Sequence, residues 1–257
     1  MRRNNYTKII AILFLTTCLT NIYAGDNHSS CKVNLDTLRL YDQARQREIP
    51  IAIYKLKNTK NHKQKIVIFS HGYGHNRGGA NLDYSFLTNF LAEKDYFVVS
   101  IQHELSTDSL LPLTGNPQLL RRPFWERGAD NILFVINDLK RTNPELDFRH
   151  ITLIGHSNGG DMTALFPQKY PNVVDKIITL DNRRMLLPRT NQPKVYSLRS
   201  SDQMADEGVL PTIEEQKKFN IKIFKLPNTI HNDMCDNANS VQRQEIRKYI
   251  WAFLTEK

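Results

Sequence analysis

The apolar residues fall into short blocks whose period changes along the chain. Residues 33–56 alternate, rich in Val, Leu, Ile and Tyr, with a polar turn near Asp42 and Gln43. That period of two predicts a pair of antiparallel strands. The runs 66–70, 96–101, 151–154, 176–180, 194–198 and 221–226 read as further strands, the apolar ones buried on both faces. Between them, 82–94, 127–140, 159–166 and 241–254 carry helical spacing. Polar or proline-marked loops occupy 55–65 and 102–122. Buried strands alternating with helices predict an α/β fold: one domain with a mainly parallel central sheet and helices on both faces. No linker is long enough to divide it.

The first 24 residues break the pattern. Arg2, Arg3 and Lys8 precede an apolar stretch over 9–15 that continues weakly to 19, and Ala24 offers a cleavage position. This reads as an export signal ahead of a domain at 25–257, and predicts a periplasmic or secreted protein. Two other readings stand beside it: an uncleaved anchor, and lipid attachment at Cys18 in the lipobox-like Leu15-Thr16-Thr17-Cys18. A membrane partner is expected only if the segment is retained or lipidated. Removing 24 residues and their three cations takes 257 residues and a charge of +9 to 233 and +6. It also leaves two cysteines, Cys31 and Cys235, as either one disulfide or two thiols.

Composition adds exclusions. With 40% hydrophobic and 24% charged residues the chain is neither disordered nor a disulfide-dense miniprotein. Its basic balance raises nucleic acid as a partner, but no helix shows a basic stripe interleaved with aromatics. No nucleic-acid partner is expected.

The chemistry concentrates in Gly155-His156-Ser157-Asn158-Gly159, a G-x-S-x-G pattern followed by Gly160, between a predicted strand and a predicted helix. A turn this tight lifts the Ser157 hydroxyl clear of the backbone and points the Asn158 N–H at a developing oxyanion. The positive helix N-terminus reinforces it. A second glycine turn, Ser70-His71-Gly72-Tyr73-Gly74, follows the strand 66–70. His231 lies in the loop 227–233, and it alone of the eight histidines follows Ser157.

On these three segments the chain resembles the α/β-hydrolase superfamily, and within it bacterial exported hydrolases related to dienelactone hydrolases and platelet-activating-factor acetylhydrolases. The resemblance covers roughly 33–257. It implies a serine nucleophile, no cofactor and ester hydrolysis; no metal is expected from the residues themselves. It also implies the chain order Ser, acid, His, which makes His231 the base. For the acid, Asp202 comes first, because it follows the strand 194–198 by four residues. Asp206 in the same loop is second, and Asp181, which ends the strand 176–180, is third. The oxyanion amides are expected from Tyr73 and Asn158. Only a short segment separates 180 from 194, so no large cap is expected over the site.

The expected function is therefore cleavage of a small-molecule carboxylic ester, short-chain or lipid-like, through an acyl-enzyme. An exported serine peptidase or amidase, and an inactive binding protein on the same fold, are the alternatives. Three further features have both a site reading and a structural one. His71, His75 and His103 are poorly spaced for a metal, and His71 reads better as a brace for the oxyanion turn. Leu105, Leu110, Leu111 and Leu113 either line an acyl pocket or pack the loop down. Arg121, Arg122, Arg183, Arg184 and Arg189 either gather at the mouth for an anionic substrate or are solvated surface.

Overall fold

A computed structural model of the protein describes residues 33–57 and 63–256. The export segment, Cys18 and Cys31 lie outside them. Within them, Cys235 is a free, partly buried thiol.

Strands β1 (Val33–Asp42) and β2 (Arg47–Leu56) form the expected antiparallel pair. Strands β3 (Lys65–Ser70), β4 (Phe97–Ile101), β5 (Asp147–His156), β6 (Lys176–Leu180), β7 (Lys194–Arg199) and β8 (Lys222–Lys225) complete one eight-stranded sheet. Its order is β1-β2-β4-β3-β5-β6-β7-β8. Every pairing from β4 to β8 is parallel, and β2 meets β4 antiparallel. The helices are α1 (Ser85–Glu93), α2 (Pro117–Leu120), α3 (Arg122–Thr142), α4 (Ser157–Lys169), α5 (Ile213–Phe219) and α6 (Ser240–Thr255).

The sheet separates two apolar layers. Ile66 and Ile68 of β3 pack with Trp125, Ile132 and Val135 of α3 and with Leu165 of α4. The alternate residues Val67 and Phe69 pack on the other face with Leu87 and Leu91 of α1 and Ile246 and Ile250 of α6. Period-two alternation in a strand covered on both sides yields two cores and no polar face.

Helix boundaries depart in detail from the apolar pattern. Helix α3 begins five residues before the expected 127, because Pro123 sits in its first turn, where a missing N–H costs nothing. Helix α5 was not expected: its first turn is held by a Thr212–Glu215 capping box, not by an apolar stripe.

Strand order creates the site. The chain leaves β3 for β4 on one side and returns past it to β5 on the other. Loops from β3 and β5 therefore diverge at their C-terminal ends, where such sheets open a crevice. The registers align those ends: Ser70 is opposite Gly155, and His156 opposite Leu180. The residues that follow, His71, Ser157 and Asp181, leave the sheet side by side.

Candidate active site

Ser157 is the first residue of α4 and has φ 52, a left-handed conformation that a non-glycine residue adopts only under constraint. The constraint is close packing. A Cβ on Gly159 would lie 2.3 Å from the Ser70 carbonyl oxygen and 2.4 Å from that of His71; one on Gly155 would lie 2.3 Å from the Gly159 oxygen. Glycine at both positions lets the elbow press against the end of β3.

His231 lies in a short 3-10 turn after β8. Its Nε2 is 2.9 Å from Ser157 Oγ, and its Nδ1 is 2.5 Å from Asp181 Oδ2. Asp181 is wholly buried. Its carboxylate also accepts the Ser200 N–H at 3.0 Å and the Ser200 hydroxyl at 2.7 Å, and Oδ1 lies 3.0 Å from Arg199 Nη2. Burial pushes this carboxyl up, but the His231 bond, the Arg199 charge and the Ser200 bonds outweigh it and hold it below the ordinary carboxylate range. Asp181 is an ionised acceptor facing the imidazole.

This corrects the sequence expectation for the acid. Asp202 is exposed, and its Oδ1 accepts the backbone N–H of His231 at 2.7 Å, so it holds the loop and not the ring. Asp206 is exposed and stands 4.0 Å from Arg184 Nε. The register explains the outcome. β6 neighbours β5, so a residue at the end of β6 emerges beside the elbow, whereas the loop after β7 starts one strand further away. Asp181 turns inward with φ 54, a conformation aspartate tolerates better than most residues.

Around Tyr73, the neighbouring amides are occupied. Gly72 N–H donates to Tyr84 Oη at 2.9 Å and Gly74 N–H to Glu104 Oε2 at 2.9 Å. Among the described residues the Tyr73 N–H has no such partner. Asn158 occupies the second position of α4, where an amide has no intrahelical acceptor. Its side chain is pinned: Oδ1 accepts from Trp125 Nε1 at 2.9 Å, and Nδ2 points to Glu104 Oε1 at 3.5 Å.

Glu104, Trp125, Tyr84 and His156 were not assigned site roles from the sequence. Glu104 is buried and pushed up to about 7; the amides of Gly74 and Asn76 and the charge of Arg127 only partly offset its desolvation. His71 is neutral, lowered to about 4 by burial, and its Nε2 accepts the His103 N–H at 3.0 Å, which stiffens the turn. His103 Nε2 pairs with Ser70 Oγ at 2.9 Å, and His75 lies on an exposed turn. Among the described residues no three ligating side chains converge.

Leu111 is buried and donates its N–H to Tyr73 Oη at 3.1 Å, while Leu110 and Leu113 are exposed. Of the four leucines, Leu111 is the one whose amide ties the loop to Tyr73 among the described residues. The arginines divide. Arg122 pairs with Glu126 and Arg189 with Glu215. The backbone amides of Arg183 and Arg184 bind Asp161, one turn beyond Ser157 on α4, and the Arg121 charge lies close enough to those of Arg184 and Arg183 to feel them.

No protein-family model matches the chain, and no curated protein sequence matches it. Solved structures do. A dienelactone hydrolase-like promiscuous phosphotriesterase from metagenomic libraries superposes with a TM-score of 0.64 at 14% identity, over 87% of this chain and 98% of that one. A bacterial heroin esterase gives 0.61 at 15%, over 86% and 84%. An esterase of the fungus Rhizomucor miehei gives 0.64 at 14%, over 88% and 84%. The described residues have the α/β-hydrolase fold.

Proposed function

We propose that this protein is a serine hydrolase that cleaves carboxylic esters through an acyl-enzyme. The observation that carries the reading is the unbroken chain from Ser157 Oγ through His231 to Asp181. The esterases and hydrolases among its structural neighbours support it.

In this reading His231 Nε2 takes the Ser157 proton as Oγ attacks the acyl carbonyl. Asp181 keeps the other ring proton on Nδ1 and stabilises the imidazolium as it forms. The oxyanion is held by the N–H groups of Tyr73 and Asn158, each worth about 2.7–4 kcal/mol in comparable sites. The intermediate collapses, the alcohol leaves with the His231 proton, and water activated by His231 releases the acid and restores Ser157. The pattern of residues 1–24 supports export of this enzyme to the periplasm or the medium.

A panel of p-nitrophenyl esters of rising acyl length, run beside aminoacyl p-nitroanilides, tests the reading. Ester turnover that Ser157→Ala abolishes is expected. Turnover of the anilides alone would move the activity to the peptidase class, and turnover of neither would leave a binding protein.

A further inference from the structure

A buried chain of hydrogen bonds links the three loops that build the site, and its two ends can each act in only one way. Gly72 N–H can only donate, and it meets Tyr84 Oη at 2.9 Å. The His231 carbonyl oxygen can only accept, and it lies 3.1 Å from His156 Nε2. Between them, Tyr84 Oη is 2.8 Å from His156 Nδ1. For a neutral imidazole one arrangement satisfies all three contacts. His156 carries its proton on Nε2 and gives it to the His231 carbonyl; its bare Nδ1 accepts the Tyr84 hydroxyl proton; the Tyr84 oxygen accepts from Gly72.

This arrangement needs a neutral imidazole. His156 is 5% exposed and Tyr84 4%, and burial together with the nearby His231 pushes the His156 ring down to about 3. The chain is also sterically fitted. A Cβ on Gly72 would lie 3.0 Å from His156 Nδ1 and 3.2 Å from Tyr84 Oη, so the turn approaches the pair closely. Phe69 packs against the Tyr84 ring at 4.6 Å, and the His156 ring packs against that of His231 at 4.7 Å.

Three members of this chain belong to, or lie next to, a reacting group of the proposed mechanism. Gly72 precedes Tyr73, His156 precedes Ser157, and the accepting carbonyl belongs to His231 itself. We propose that Tyr84 and His156 are a positioning pair that sets the oxyanion turn, the elbow and the base loop in register, so that they act on kcat and not on substrate binding. This rests on the hydrolase reading above. Neither residue exchanges a proton with substrate, since both nitrogens of His156 are engaged within the chain.

The experiment measures kcat, KM and thermal midpoint on p-nitrophenyl butyrate for wild type, Ser157→Ala, Tyr84→Phe, His156→Gln and His156→Leu. Phenylalanine keeps the packed ring and deletes only the hydroxyl. Glutamine can still donate to the His231 carbonyl and accept from Tyr84; leucine can do neither. Tyr84→Phe is expected to lose about 10- to 100-fold in kcat, the effect of one broken buried hydrogen bond, with KM within about twofold. His156→Gln is expected to retain at least about tenfold more kcat than His156→Leu, which keeps the test decisive should Tyr84→Phe fold poorly. Unchanged kcat in Tyr84→Phe, a loss expressed in KM, or equal losses in the two His156 variants would overturn the pairing alone. An inactive wild type, or a Ser157→Ala variant as active as wild type, would overturn the hydrolase reading and the pairing together.

Discussion

Arg199 and Asp181 form a buried ion pair inside the site, with Nη2 3.0 Å from Oδ1 and the two side chains 7% and 0% exposed. Together with the His231 and Ser200 hydrogen bonds, the pair keeps a wholly buried carboxylate ionised. Breaking such a pair leaves an uncompensated charge, so Arg199→Met is expected to lose about 3–5 kcal/mol of stability at neutral pH. The pH dependence follows from Asp181, whose carboxyl lies below its ordinary 3.8 when folded. That stabilisation is present above the ordinary carboxylate range and disappears as pH falls through the folded value. Without Arg199 the folded value rises, so protonating Asp181 relieves the unpaired charge and the stability gap between variant and wild type should narrow as pH falls. Circular-dichroism melts between pH 3 and 7 check both points, and coincident curves for variant and wild type would contradict them.

The two aspartates beside His231 should separate by activity. Asp181 meets the ring and Asp202 the backbone N–H. Asp181→Asn is expected to cut ester turnover about 10⁴-fold through loss of the correct tautomer. Asp202→Asn keeps an oxygen that can accept the same N–H and should stay within about tenfold of wild type. Steady-state kinetics on one ester settles the order.

Gly159 is where elbow and sheet approach most closely. A methyl group there would overlap two backbone oxygens, neither of which can rotate away. Gly159→Ala should destabilise the fold by about 1–3 kcal/mol or more and remove activity by forcing Ser157 away from β3. At Gly160 the nearest atoms are at 3.0 Å, so Gly160→Ala should be milder. Urea midpoints of the two variants make the comparison.

Much of this architecture was legible in the sequence because it is local. Period-two alternation marks β1 and β2, short apolar runs mark the parallel strands, and Gly155 to Gly159 announces the elbow. What was not legible depends on which strands become neighbours. Asp181 ranked below Asp202 because sequence distance from a strand end says nothing about which strand lies beside β5. Tyr84, Glu104 and Trp125 reach the site from 73, 53 and 32 positions before Ser157. Ordinary core or loop residues by type, they acquire their roles only when the sheet assembles.

Glu104 makes stability depend on pH near neutrality. Its carboxyl titrates at about 7 in the fold against an ordinary 4.5. A value raised by folding means the native state binds the proton more tightly, so its contribution is fully present below about 4.5 and is lost as pH rises through about 7. Glu104→Gln removes that titration. The fall in thermal midpoint from pH 5 to pH 8 should shrink in the variant; an unchanged fall would assign the dependence to other groups.

The central claim is that Ser157 is a nucleophile activated by His231. Incubating folded protein with a fluorophosphonate and identifying the modified peptide by mass spectrometry tests it most directly. One covalent adduct is expected, on Ser157, absent in Ser157→Ala and strongly slowed in His231→Ala. No adduct on the folded wild-type protein, or one on another residue that persists in Ser157→Ala, would contradict it.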